Sequence, residues 1–167
     1  MFDFDVYGEP VAKGRPRFFG RHAVTPERTR TQEELIASEF LRHYPQAQPL
    51  EGEVMMTIVF YKSRHGKPDL DNLEKLVKDA LNGLAYTDDQ QIKLTLCAML
   101  EPDRMALGKR AFGLVKRRQG MPLTYEYEPH TGIHIEPLEG TIHDGIRHAT
   151  ESMKGLLHDA GNDARYR

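Results

Sequence analysis

At the start of the chain Phe2, Phe4 and Val6 alternate with Asp3, Asp5 and Tyr7. Strict alternation sends one set of side chains to each face of a strand, so a half-buried strand is expected here. The stretch 53–61 is β-rich and strongly apolar, which predicts a second strand. Ile92, Leu94, Leu96, Ala98 and Leu100 alternate with Lys93, Thr95, Cys97 and Met99 and predict a third, and 132–138 (GIHIEPL) reads as a last one. Helical spacing appears in three other places. Thr25-Pro26 opens one segment, with the proline at the first helical position, running to about His43 before Pro45. Leu73, Leu76, Val77, Ala80, Leu81 and Leu84 make one apolar face of a second, stopped by Gly83. Ile142, Ile146, Ala149, Met153, Leu156 and Leu157 make a third over 141–160, an amphipathic tail docked on its own domain or on a partner. Between the first strand and first helix, 10–24 carries two prolines, two glycines and several arginines, predicting a loop or irregular hairpin. The class is α/β: one domain with a mixed sheet packed by helices, and a helical tail.

Within this frame the run at 67–92, KPDLDNLEKLVKDALNGLAYTDDQQI, carries the most chemistry. Asp69 and Asp71 sit two apart just before the second helix, in a segment expected to be extended, where residues two apart share a face. Asp71 and Glu74 fit a capping box, and Lys75 lies one turn beyond Asp71. A second acidic pair, Asp88 and Asp89, follows the helix. Converging carboxylates repel one another unless a cation joins them, and Mg²⁺ takes one or two carboxylates while leaving its other positions to water or phosphate. Three aspartates around one helix therefore nominate metal-assisted phosphoryl chemistry. The plainer alternative is that Asp71 caps a helix and Asp88-Asp89 forms a polar turn.

The longer pattern distinguishes these. PDLDNL, then Lys75, Asp79, Ala80, Leu81, Asn82 and Gly83, then Tyr86, Asp88, Asp89 and Gln91, resembles the RusA family of Holliday-junction resolvases. The run GEPVAKGRPRFFGRHAVTPERTRTQEELI at 8–36 is similar to the opening of many members, with Lys13, Arg15, Pro16, Arg17, Thr25 and Pro26 in order. The resemblance covers most of 2–100. It implies a Mg²⁺-dependent endonuclease, usually a homodimer, that cuts four-way or related branched DNA with a metal-activated water. It also implies that Asp69, Asp71 and Asp89 hold the metal and that Lys75 supports catalysis. Asp88 is the weaker candidate, because neighbours in an extended segment point to opposite faces. In the simplest family pattern a short turn joins the strand after the acidic pair to the final strand; here 101–131 intervenes as an insertion in a domain spanning 1–140, before the tail 141–167. Other DxD chemistries are a metal-dependent glycosyltransferase, a phosphohydrolase of the haloacid-dehalogenase type and, without catalysis, a branched-DNA-binding protein. The first normally needs a larger nucleotide-binding domain. The second ends a hydrophobic strand with its aspartates, whereas a basic loop at 62–68 precedes Asp69.

Composition changes this picture only where it is uneven. The net charge of −2 over 167 residues looks wrong for a DNA-binding protein. Yet 9–30 holds six lysines and arginines against Glu9 and Glu27, and 104–118 holds six with no acid, while 121–167 holds eight acids against four bases. Local basic patches engage phosphates, so Lys13, Arg15 and Arg17 in the first segment and Lys116, Arg117 and Arg118 in the second are candidate DNA contacts. Phe18-Phe19 could stack on unpaired bases or pack locally. The single cysteine, Cys97, rules out an intramolecular disulfide, fits a reducing cytoplasm and reads as a packed thiol. His130 and His134 could share a face, but core or surface roles are the default for histidines this sparse. The first residues lack the basic and apolar regions of a signal peptide, and no apolar run approaches the ~20 residues of a membrane span, so no membrane partner is expected.

Overall fold

The computed structural model describes residues 1–15, 17–19, 22–63, 68–101, 105–107, 114–116 and 128–162, with backbone alone at 17–19, 22–23, 105–107, 114–116 and 158–162. In chain order the elements are β1 (Phe2–Tyr7), β2 (Arg17–Phe19), β3 (His22–Val24), α1 (Glu27–His43), β4 (Val54–Tyr61), α2 (Leu70–Leu81), β5 (Ile92–Leu100), β6 (Met105–Leu107), β7 (Leu114–Lys116), β8 (His130–Pro137) and α3 (Ile142–Asn162). Four strands form a mixed sheet in the order β1-β8-β4-β5, while β2-β3 and β6-β7 are short antiparallel pairs. β4 and β5 are parallel and joined by α2; β8 runs antiparallel to both of its neighbours.

Every residue of β4 is buried, because it lies inside the sheet with helices over both faces. This explains its continuous apolar run VMMTIVFY, where a strand with one wet face would alternate. Val54, Met56, Ile58 and Phe60 join Phe2, Phe4, Val6, Ile133 and Ile135 beneath α1 and α2, which contribute Ile36, Phe40, Leu73, Leu76 and Val77. On the other face Val59 and Tyr61 meet α3 through Met153 and Leu156, with Leu96, Ala98 and Leu100 of β5 alongside. The Tyr61 hydroxyl donates to the Leu156 carbonyl at 2.7 Å. The amphipathic tail thus docks on its own sheet. Among the described residues no helix is long and apolar enough to cross a membrane.

Two local expectations change. Pro26 is the N-cap of α1, not its first helical residue (φ −55°, ψ 139°). Its fixed φ is compatible with either position, and the extended ψ places it outside the helix. Asp71 lies inside the first turn of α2, whose N-cap is Asp69, and no side chain caps that end. The capping box forms instead at Asp88.

An ion pair between a buried histidine and an exposed carboxylate links β1 to its neighbour β8. His134 on β8 places Nδ1 2.9 Å from an Asp3 carboxylate oxygen on β1, and Nε2 lies 3.5 Å from Glu136. The hydrogen bond to Asp3 raises the His134 pKa above its ordinary 6.5, against the opposing effect of burial. The protonated ring is therefore favoured in the folded state. Its contribution is fully present below about 6.5, the unfolded value, and fades as pH rises through the higher folded value. Unfolding in urea across this range should show stability declining with rising pH, and Asp3→Asn should flatten that decline.

Candidate active site at the head of the second helix

The chain leaves the carboxyl end of β4 at Tyr61 and enters α2 at Leu70, so Asp69 and Asp71 flank the start of that helix. The carboxyl ends of parallel strands are where α/β folds place ligands, because the turns into helices gather there. The exposed peptide N–H groups of a helix start also favour anions. Both aspartates are exposed. Neither is in an ion pair among the described residues, and the one side-chain contact of Asp71 is a long 3.4 Å approach from the Asn72 amide. Lys75, one turn along α2, is exposed and likewise unpaired among the described residues. The site thus presents two open carboxylates and an ammonium at the head of α2, from its N-cap to its second turn.

The amino-terminal arm is fastened beside it. Lys13 N–H donates to the Asn72 carbonyl at 2.9 Å, and the Lys13 ammonium pairs with Asp79 on α2. Lys13, expected to meet DNA, is in this structure committed to docking the arm. Gly14 N–H donates to Thr29 Oγ1 at 3.0 Å, and a Cβ at Gly14 would lie 2.9 Å from the Pro26 ring, so glycine alone allows this approach. The arm and the start of α1 enclose a cleft of about 300 Å³ lined by Pro10, Val11, Arg28, Thr29 and Pro68, the last next to Asp69 in the chain. Arg15 is exposed and has no partner among the described residues. Arg17 and Lys116 fall in strands described by backbone alone, the side chains of Phe18 and Phe19 share that limit, and Arg117 and Arg118 lie outside the described residues.

Asp89 is held elsewhere. It opens the 3-10 turn Asp89–Gln91, immediately before β5 begins opposite Val54. Val54 is the amino end of β4, so Asp89 stands at the opposite end of the β4-α2-β5 unit from Asp69 and Asp71. That turn is tightly built. Asp88 Oδ1 accepts from Gln90 N–H at 2.8 Å, and Gln91 Oε1 accepts from the N–H groups of Thr87 and Asp88 at 2.8 and 2.9 Å. The Gln91 amide donates to the carbonyls of Leu50 and Gly52. Tyr86, fully buried, donates its hydroxyl to the Lys78 carbonyl at 2.7 Å; burial, then the Asp89 charge, raises its pKa. Asp88 is thus occupied as a cap, while Asp89 is exposed with no described partner. Among the described residues no three His, Cys, Asp or Glu side chains converge closely enough to hold a metal ion. Asp69 and Asp71 alone supply the one or two carboxylates that Mg²⁺ commonly takes.

Two further residues belong to this end of the molecule, and no motif marked them. Lys62 follows β4, is buried, and pairs its ammonium with Glu101 at 2.8 Å. Its one trace in the sequence is a lysine directly continuing a fully apolar strand. Cys97 sits over the middle of α2, where burial and then the Glu74 carboxylate push its thiol up to about 12. A thiol so far from ionising is no nucleophile.

Comparison with known proteins supplies the family. The model of a family described as Endodeoxyribonuclease RusA matches residues 7–107, which include the arm, α1, α2, the candidate aspartates Asp69, Asp71, Asp88 and Asp89, and β5. The chain is also similar to a Bacillus subtilis protein named only as uncharacterized protein YqaN: 36% identity over 114 residues, covering 53% of this chain and 80% of that one.

Proposed function

This chain belongs to the RusA family of endodeoxyribonucleases, and we propose that it hydrolyses phosphodiester bonds of four-way or related branched DNA with the help of Mg²⁺. What carries the reading is the pair of open carboxylates at the head of α2, with Lys75 one turn away, in a chain of this family. Asp69 and Asp71 would hold the metal, and Asp89, at the opposite end of the β4-α2-β5 unit, would join them only from the second chain of a homodimer. Bound there, Mg²⁺ would supply Lewis-acid activation and stabilise charge on the phosphate. The chain's own residues do the rest. Lys75 places an ammonium where negative charge grows on the phosphoryl oxygens. The first peptide N–H groups of α2 favour an anion at the same place. The arm, pinned by Lys13 and Gly14, forms one wall of the approach and carries Arg15 and Arg17 towards the DNA backbone. Such contacts position a duplex without reading its sequence. The insertion, with Lys116, Arg117 and Arg118, adds to this electrostatic grip. A four-way junction has two-fold symmetry, so a homodimer with two sites suits it.

Incubation with a synthetic four-way junction, with and without Mg²⁺, tests the reading. Nicking that requires the metal is expected; binding without nicking would instead support a non-catalytic DNA-binding protein. The arm's part is tested separately. Arg15→Ala with Arg17→Ala should weaken binding to every DNA substrate and lower the slope of log K against log salt by roughly 0.9 per lost phosphate contact. Titrations at several salt concentrations measure this, and an unchanged slope would assign both arginines to structure.

A further inference from the structure

The cleft between the arm and the start of α1 measures about 300 Å³, the small end of the roughly 300–1,000 Å³ range of clefts that hold small ligands. Pro10, Pro26 and Pro68 wall it together with Val11 and Ala12. Proline has a fixed φ and no N–H, so these walls are stiff and offer apolar ring surface without an amide donor. The cleft is also braced in the free chain. Lys13 N–H donates to the Asn72 carbonyl, the Lys13 ammonium pairs with Asp79, and a Cβ at Gly14 would lie 2.9 Å from the Pro26 ring. A preformed cleft spends little ordering entropy when it binds.

Among the described residues the polar side chains that line it are those of Arg28 and Thr29. Arg28 is exposed and has no ion-pair or hydrogen-bond partner among the described residues. Thr29 is 2% exposed. Its Oγ1 accepts Gly14 N–H at 3.0 Å and donates to no described group, so a hydroxyl proton is left over. A buried donor without an acceptor is costly, and an acceptor on a ligand in the cleft would remove that cost. A planar cation, proline walls and one donor suit a flat ring with an acceptor on its edge. A phosphate would instead lose its water against proline rings. The place in the fold points to the source of the ring. Pro68 leads directly into Asp69, and the arm is bonded to the first turn of α2. A phosphate at Asp69 and Asp71 therefore has the base of its own nucleotide within reach of the cleft. A paired base stays in its stack, whereas a base at a branch point swings out at small cost.

We propose that this cleft takes one unpaired nucleobase from the branch point of the DNA. Arg28 stacks on the face of the base, the Thr29 hydroxyl donates to an acceptor on its edge, and the proline rings hold it out of the duplex stack. Capture of the base delivers the adjoining phosphate to Asp69 and Asp71. Stacking of this kind accepts any base, because every base has a π-face. The cleft thus selects branched DNA over linear duplex, in which no base is free to enter it. This inference rests on the nuclease reading above, whose phosphate it positions.

The test places 2-aminopurine, whose fluorescence rises when it leaves a stack, at successive positions of a synthetic four-way junction. The full-length chain is added in EDTA, so that base capture is read apart from cleavage. A several-fold rise is expected at a branch-point position and none within the arms of the junction. Arg28→Lys keeps the charge and removes the planar stacking group. It should abolish the rise and weaken junction binding at least about fivefold, with linear-duplex binding unchanged. Ala12→Phe, which fills the cleft, should do the same with its circular dichroism intact. The inference is overturned if no branch-point position brightens, if Arg28→Lys keeps the rise, or if it weakens junction and duplex equally, which would make Arg28 a phosphate contact. A folded Ala12→Phe chain that still brightens the junction would overturn it too. Nicking in Mg²⁺ without any rise in EDTA leaves the nuclease reading standing and removes the base site. A rise without nicking in Mg²⁺ does the reverse, and the cleft then serves a DNA-binding protein.

Discussion

Asp71→Asn is expected to abolish Mg²⁺-dependent cleavage of a four-way junction while leaving junction binding within a few-fold of wild type. The side chain is exposed, lies in the first turn of α2 and caps nothing, so its loss removes a ligand charge and little stability. Removing a group that only orients a metal ligand commonly costs about 10–100-fold, so loss of a direct ligand should exceed that range. Binding should persist if, as proposed, it depends on basic side chains of the arm and insertion, because removing an anion from the surface weakens no phosphate contact. Asp69→Asn and Asp89→Asn should behave alike. Asp88→Asn should be mild for a structural reason: Asp88 accepts from Gln90 N–H, and asparagine keeps a carbonyl oxygen for the same cap. A nicking assay beside a gel shift reads all four. Wild-type cleavage by Asp71→Asn would remove this residue from the site.

Much of the fold is written in local periodicity. β1, β4, β5, β8 and all three helices stand within a residue or two of where the alternation and helical spacing put them, because each buries a face in one of the two cores that flank the sheet. The local end of α2 was harder to read. Asp71 with Glu74 satisfies the capping-box spacing, yet the helix starts two residues earlier than that box requires, at Leu70. The box forms at Asp88 and Gln91, where Gln91 also reaches back to Leu50 and Gly52, contacts about 40 residues away that no local pattern encodes. The aspartates that mark the candidate site are visible because metal chemistry restricts residue type. Their separation along β4-α2-β5 depends on strand order and register, which are tertiary. The same holds for Lys13: its position among arginines suggests a phosphate contact, while its carboxylate partner, Asp79, is far along the chain.

Lys62→Met should destabilise the protein by roughly 3 kcal/mol, and Glu101→Gln by more. The Lys62 side chain is fully buried where β4 ends, and its ammonium lies 2.8 Å from Glu101, which retains 19% exposure. Breaking a buried ion pair costs about 3–5 kcal/mol, because the remaining charge keeps less compensation in a poorly solvated place. The two single variants differ in which charge remains. Lys62→Met keeps the apolar stem and leaves a carboxylate that water can still reach, which puts it at the lower end of the range. Glu101→Gln leaves the ammonium, the group with no exposure, facing a neutral amide. The double variant should therefore lose less than the sum of the singles, since the attraction between the two groups is lost only once. Urea unfolding of all three proteins measures the set, and equal losses in the two single variants would contradict the asymmetry in burial. The functional consequence follows from chain order. Lys62 starts the segment that carries the chain from β4 to Asp69, so loosening that strand end should weaken Mn²⁺ binding in Lys62→Met even at temperatures where the domain stays folded. Junction binding, which we assign to the arm and the insertion in the proposal above, should change less.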